Sequence, residues 1–264
     1  MPLLSVITAA YGPSANFLPE TIGSVLSQDL PDNWEIEYLI QEDGAVPVLQ
    51  ELQSRDGRVK YSANGDQLGV AVTRNMALNR AQGELTQLID HDDLLLPQAF
   101  TALIPRFLEH QIHWAIGQAD DLMPDGSRRA YPAALPFGVT RPGTVNDWAT
   151  EHEGNWPVHC AAMMARTTTL RALGGWAATP SDDDIALFVA LFELTPGFQE
   201  EALTWLYRQH DAQTHRSPQW KHQSQNGRQF AIQRVNAIRT SGLSIQPSEL
   251  TAPRNTAVAA PIKG

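Results

Sequence analysis

Three short stretches of this sequence are dense enough in carboxylate, guanidinium and imidazole groups to do chemistry. The first is LIDHDDLLLP, residues 88–97, where an apolar run ends in Asp90, Asp92 and Asp93. Three like charges this close repel and need compensation. A hard divalent cation supplies it through carboxylate oxygen and keeps positions open for phosphate. The same pattern also fits a helix start, since aspartate caps an N-terminus and Pro97 suits a first turn; the residues alone leave both readings standing. The second stretch is Ser181-Asp182-Asp183-Asp184. Taken alone it reads as an acid-rich helix N-terminus, favoured by the macrodipole. The third is Tyr207-Arg208-Gln209-His210, a cation and an imidazole directly after a strand-like run. The single cysteine, Cys160, excludes an intrachain disulfide and a Cys-rich zinc site. Within the apolar run 160–164 it reads as a small core residue.

The elements that must position these groups alternate. Residues 3–9 are short, apolar and β-branched, as in a buried strand; 17–28 carry Leu18, Ile22, Val25 and Leu26 at helical spacing. Strands are expected at 35–41, 59–62, 85–89 and 114–119, and helices at 46–53, 69–80 and 98–109, the last with Leu103, Ile104, Phe107 and Leu108 on one face. Such alternation implies a mostly parallel sheet with helices on both faces, and its ligands belong at the carboxyl ends of the strands. Thr8-Ala9-Ala10-Tyr11, Glu42-Asp43-Gly44 and Asp90-His91-Asp92-Asp93 all fall at such ends. Farther on, 123–127 is a turn signal and 131–157 a Pro-, Gly- and Trp-rich loop without period. Order returns at 158–165. A helix at 167–173 closes on Gly174-Gly175, another starts near Ser181, and 203–207 is strand-like. A long polar helix spans 219–239, with Phe230, Val235 and Ile238 as its apolar positions. The final 20 or so residues read as a tail.

Several segments, in this order, resemble glycosyltransferase family 2. They are SVITAAYG (5–12), QEDGA (41–45), NGDQLGVAVTRNMALNRAQGE (64–84), LIDHDDLLLP, LRALGGW (170–176) with SDDDIAL (181–187), and YRQH (207–210). The resemblance covers roughly residues 3–216. It implies an α/β, glycosyltransferase-A type fold: a Rossmann-like, mostly parallel sheet plus a C-terminal acceptor-side region. One domain is expected over 1–241, with a nucleotide-sugar half at 1–120, an acceptor half at 121–241, and a tail at 242–264. It also implies roles. Thr8, Ala9 and Tyr11 line a base pocket, Asp43 accepts a ring N–H, and Arg74 lies along the nucleotide or its phosphates. Asp92 contacts Mn²⁺ or Mg²⁺, with Asp90 nearer the ribose. His91 points away, and Asp93 steadies the site. Arg208 and His210 reach the diphosphate or its metal. Asp182 matches the catalytic base, but Ser181 replaces the family's preceding acid, so the register can shift to Asp183. Trp156 and His159, with His215, are weaker acceptor-side candidates.

The activity so implied is metal-dependent transfer of a sugar from a nucleotide-diphosphate donor to an acceptor hydroxyl, with inversion. Asp43 favours UDP- or dTDP-sugars. The acceptor is expected to be a small molecule, an oligosaccharide or a lipid-linked intermediate. Rival readings are a non-catalytic sugar-nucleotide or carbohydrate-binding module and a nucleotidyltransferase, the latter disfavoured because residues 8–13 hold no Lys or Arg for a triphosphate. With 29 acidic against 19 basic residues, the net charge of −10 disfavours a nucleic-acid partner or an anionic membrane surface. No apolar run of about 18 residues suggests a membrane span. The first residues lack a basic region and cleavage site, so a cytoplasmic protein is expected.

Overall fold

The computed structural model describes residues 1–246 apart from 55 and 180. The first half builds β1 (Leu3–Ala10), α1 (Leu18–Leu26), β2 (Glu35–Glu42), β3 (Val59–Ala63), α2 (Val70–Arg80), β4 (Leu85–Leu88), β5 (Leu94–Leu95), α3 (Ala99–Glu109) and β6 (Trp114–Leu122). Every residue of β2 from Ile36 to Glu42 is buried. Successive strand side chains point to opposite faces, so both faces of the sheet are covered. In α3 the buried stripe is Phe100, Leu103, Ile104 and Phe107, at i, i+3, i+4 and i+7. Leu108, expected on that face, is 60% exposed.

The second half adds β7 (Arg128–Ala130), β8 (Gly138–Thr140), α4 (Thr144–Glu151), β9 (Met163–Arg166), α5 (Thr167–Ala172), α6 (Asp183–Leu194), β10 (Gly197–Arg208) and α7 (Pro218–Ser241). The turn at 123–127 joins β6 and β7 as a hairpin. Strand order is β3-β2-β1-β4-β9-β6-β10-β5, with β7 on β6 and β8 on β10. The β3-β2-β1-β4 half is parallel, as is β6 with β10. The inserted β9 is antiparallel to both β4 and β6. The main hydrophobic core runs without a break from Leu4 to Trp205.

Three further expectations are corrected. The helix at 46–53 is only a 3₁₀ turn at Gln50–Ser54. Pro47 offers no N–H, and the Val48 and Leu49 N–H groups donate to the Glu42 carboxylate instead of starting a helix. The loop at 131–157 contains β8 and α4, both too short for their periodicity to register. On α7 the inward residues are Ala231, Val235 and Ile238, while Phe230 is 42% exposed. Most of the tail expected from 242 lies outside the described residues; before it leaves them, Ile245 still packs against Ala190, Leu194 and Ile238. Among the described residues no helix is long and apolar enough to cross a membrane.

Candidate active site

The pairings bring six strand ends to one edge. β1, β2, β3 and β4 run together, and two antiparallel steps through β9 turn β6 and its parallel partner β10 the same way. Tyr11, Asp43, Asp90–Asp93, Asp121 and Tyr207–His210 therefore share the carboxyl edge, where an open α/β sheet holds its ligands.

Asp90–Asp93 do not cap a helix. They lead into β5, and α3 begins after Gln98 without a side-chain cap. Asp90 Oδ1 accepts from Arg74 Nη2 at 2.7 Å, while Arg74 Nη1 donates to Asp183 Oδ2 at 2.9 Å. One buried guanidinium on α2 thus joins the carboxylate after β4 to the first residue of α6. The neighbouring Asn75 clamps the backbone of Trp176 through its N–H and carbonyl at 2.9 and 2.8 Å, and Trp176 presents its ring 6.0 Å from the Arg74 guanidinium. Asp92 Oδ2 and His210 Nε2 are 2.8 Å apart. Asp93 is buried, and its Oδ1 accepts the Arg208 backbone N–H at 2.9 Å. Burial, then the charges of Asp92 and Asp90, push its carboxyl well above the ordinary range, while its bond to the Arg208 N–H ties the loop to β10. His91 Nε2 lies 3.4 Å from the Ser14 hydroxyl.

On the nucleotide side, Tyr11 is 38% exposed at the end of β1 and Ala9 is partly exposed beside it. Thr8 is buried. Its hydroxyl donates to the Ile89 carbonyl and pairs with Tyr38, so it ties β1 to the loop after β4 rather than lining a pocket. Asp43 accepts three hydrogen bonds: from Leu68 N–H (2.7 Å) and Asn64 Nδ2 (3.1 Å) on Oδ1, and from Gly69 N–H (3.0 Å) on Oδ2. It anchors the loop that enters α2. A carboxylate has about four acceptor sites, which leaves one for a ligand.

The acidic run at 181–184 resolves by backbone conformation. Asp182 precedes α6 in the left-handed region, φ 54°, and its buried Oδ2 has no partner among the described residues. It faces α7: a Cβ at Gly227 would stand 2.6 Å from the Ser181 carbonyl oxygen and 3.3 Å from Asp182 Cβ. Burial raises the Asp182 carboxyl and Arg228 pulls it down. Asp183 is the member that meets Arg74. Burial pushes it up to about 6 against the pull of that guanidinium. Asp184 accepts the Ile185 N–H, and burial raises it also.

Arg208 is spent on positioning. Nε donates to the Asp92 carbonyl at 2.8 Å, Nη2 to Glu20 at 2.7 Å, and the guanidinium lies 4.3 Å from the Phe17 ring centroid. Neither Glu20 nor Phe17 carried a sequence signal beyond its place in α1's approach. Trp156 is structural. Its indole N–H donates to Asn146, and its ring packs against Val189, Ala231 and Val235. His159 sits among the rings of Tyr131, Tyr207 and Trp205. Cys160 is buried as expected. Among the described residues no three or more His, Cys, Asp or Glu side chains form a metal cage.

A sequence model of the family described as "Glycosyl transferase family 2" matches residues 5–167, more than half of the chain. The chain belongs to glycosyltransferase family 2. TuaG of Bacillus subtilis (strain 168), a glycosyltransferase provisionally named for teichuronic acid biosynthesis, is 37% identical over 94 residues, 35% of this chain and 36% of that protein. The GalNAc(5)-diNAcBac-PP-undecaprenol beta-1,3-glucosyltransferase of Campylobacter jejuni subsp. jejuni serotype O:2 is 32% identical over 118 residues, 43% of this chain and 37% of that one. The chain therefore matches a little over a third of the length of these relatives. The crystal structure of S. aureus TarS 1-349 in complex with UDP-GlcNAc superposes with a TM-score of 0.62 at 18% identity, over 81% of this chain and 60% of that chain. This likeness gives the glycosyltransferase-A fold expected from the sequence. The family match takes in Tyr11, Asp43, Arg74 and Asp90–Asp93. Asp183 and His210 lie beyond it, and geometry alone joins them to the family's acidic motif.

Proposed function

We propose that this chain transfers a sugar from a UDP-sugar to an acceptor hydroxyl, inverting the anomeric carbon, with Asp183 as the base. The observation that carries the reading is the single guanidinium of Arg74 holding Asp90 and Asp183 in one centre at the edge where Tyr11 and Asp43 stand. TarS, of like fold, binds UDP-GlcNAc, which supports a uridine donor. Tyr11 offers its ring to the base, and the remaining acceptor site of Asp43 Oδ2 suits a uracil N–H.

Asp92 and His210 fit a divalent cation. They provide one carboxylate oxygen and one imidazole nitrogen 2.8 Å apart. Mg²⁺ and Mn²⁺ at phosphate sites use few protein ligands and complete their shell with phosphate oxygens. Such a cation neutralises charge on the departing diphosphate. Asp183 accepts the proton of the acceptor hydroxyl as that oxygen bonds to the anomeric carbon. The bond from that carbon to the diphosphate breaks on the opposite side. A base that titrates at about 6 is ionised at neutral pH. This moves the role from Asp182, the first choice on sequence, to its neighbour.

The test is a pair of substitutions assayed for UDP release from a UDP-sugar and for UDP affinity. Asp183→Asn is expected to lower turnover by about 10²–10⁴-fold, the range for a general base. UDP affinity stays near wild type, and Asp182→Asn is much milder. The converse ranking returns the base to Asp182; normal turnover in both variants removes Asp182 and Asp183 from catalysis.

A further inference from the structure

A chain of aromatic and imidazole rings runs from the core to the surface beside the acidic centre. Its inner end is Trp205, buried on β10. The His159 and Tyr207 rings lie 5.6 and 5.7 Å from it and 4.9 Å from each other. One outer end is Tyr131, 6.1 Å from His159 in an edge-on contact, and a second branch runs from Tyr207 to His215 (6.3 Å) and on to Trp220 (6.2 Å). Packing explains Trp205. It does not explain Tyr131, which is 51% exposed just after β7, a strand exposed along its whole length.

Two features give this row an occupant. The first is its place: Tyr207 directly precedes Arg208, whose N–H is held by Asp93 and whose Nε is held by the Asp92 carbonyl, and the charges of Asp90 and Asp121 both reach His159. The second is its chemistry. Ring faces offer apolar area to C–H surfaces, while the Tyr131 hydroxyl and the His159 imidazole edge offer hydrogen bonds; the Tyr207 hydroxyl lies 3.2 Å from His215 Nδ1. That combination suits a pyranose and not an alkyl chain. Carboxylate charges reach His159, while of the nearby cations Arg129 is committed to Asp121 at 2.9 and 2.5 Å, Arg208 is committed to Glu20 and the Asp92 carbonyl, and Arg128 alternates to the other face of β7 from Arg129. An anionic sugar is disfavoured there.

We propose that Tyr131, His159 and Tyr207 form the acceptor platform of this protein and that it takes a neutral pyranose, stacked on Tyr131. The proposal rests on the sugar-transfer reading above and names the acceptor class. It also separates His159, which lines the platform, from Trp156, which does not.

Saturation-transfer NMR on the full chain with UDP and Mg²⁺ tests it, using methyl β-glucoside, methyl β-galactoside and methyl N-acetyl-β-glucosaminide as probes and methyl β-glucuronide as the charged control. Transfer to the C–H protons of at least one neutral glycoside is expected, and less to the glucuronide. Tyr131→Ala should reduce that signal by about threefold or more, the share of one aromatic contact, and Tyr131→Phe should restore it. UDP affinity by calorimetry should be the same in all three proteins. The platform is overturned if no neutral glycoside receives saturation, if the glucuronide receives most, or if Tyr131→Ala leaves the signal intact. Absence of UDP binding in the wild type instead counts against the donor reading, and the glycoside arm still reads the platform separately.

Discussion

At Asp183 two opposing forces act on one carboxyl. Burial raises its pKa, Arg74 lowers it, and the group titrates at about 6. Below that value the carboxyl is protonated and cannot accept a proton, so kcat/KM is expected to fall with unit slope as pH drops through about 6. A profile flat down to pH 5 contradicts the assignment. Stability responds in the opposite sense. The folded pKa lies above the ordinary 3.8, so folding favours the protonated form, and this contribution is lost as pH rises from about 3.8 to about 6. Asp183→Asn should therefore reduce the loss of stability across that window, read by urea titration. Arg74 shows a related balance. Arg74→Ala leaves two carboxylates facing each other, and a loss of about 3 kcal/mol in urea unfolding is expected, at the low end for a broken buried pair because Asp90 is 36% exposed. At this scale the sequence put Tyr11, Asp43 and the acidic run 90–93 after strands β1, β2 and β4, where the structure has them. It did not disclose which aspartate of 182–184 faces inward. The left-handed turn at Asp182 packs against Gly227 of α7, a helix distant in sequence, and no Gly or Asn marks it locally.

Among the elements, those with a long period were legible and those defined by contact were not. The stripe of α3 and the apolar runs of β1 and β4 carry their own signal. β10 was read only at 203–207, yet it extends back to Gly197 because Gly197–Gln199 pair with both β6 and β8. Those partners are remote in sequence. Gly197 marks the tightest point of that extension. A Cβ there would stand 2.0 Å from the Trp114 indole, which is fully buried. Gly197→Ala should therefore destabilise the fold by about 1–3 kcal/mol, the usual effect of overpacking, with a matching drop in the urea midpoint. Unchanged stability would mean that the start of β10 yields freely. The same logic explains β9: its three apolar residues, Met163, Met164 and Ala165, lie in the ordered run at 158–165, but nothing in them states that the strand runs against β4 and β6.

Over the whole molecule, the alternation of strands and helices was enough to place the chemistry at one edge of a sheet. The antiparallel insert that brings β6 and β10 to that edge was visible only in three dimensions. The gathering of acidic groups there makes a prediction about binding order. At the proposed cation site, Mn²⁺ alone would meet two protein ligands, Asp92 and His210, and should raise the melting temperature little. UDP with Mn²⁺ should raise it more than the two separate shifts added together, because each ligand supplies part of the other's site. Strictly additive shifts in differential scanning fluorimetry would argue against a shared cation. The contact between Gly227 and the Ser181–Asp182 turn has a consequence in time. During synthesis the chain emerges from its N-terminus, so the strands that carry Tyr11, Asp43 and Asp92 leave the ribosome well before α7. Until α7 arrives, that turn lacks the helix that packs on it. Under the proposed function, an unfinished chain would lack one support of the residue assigned to activate the acceptor hydroxyl, so that step would be the last to be assembled.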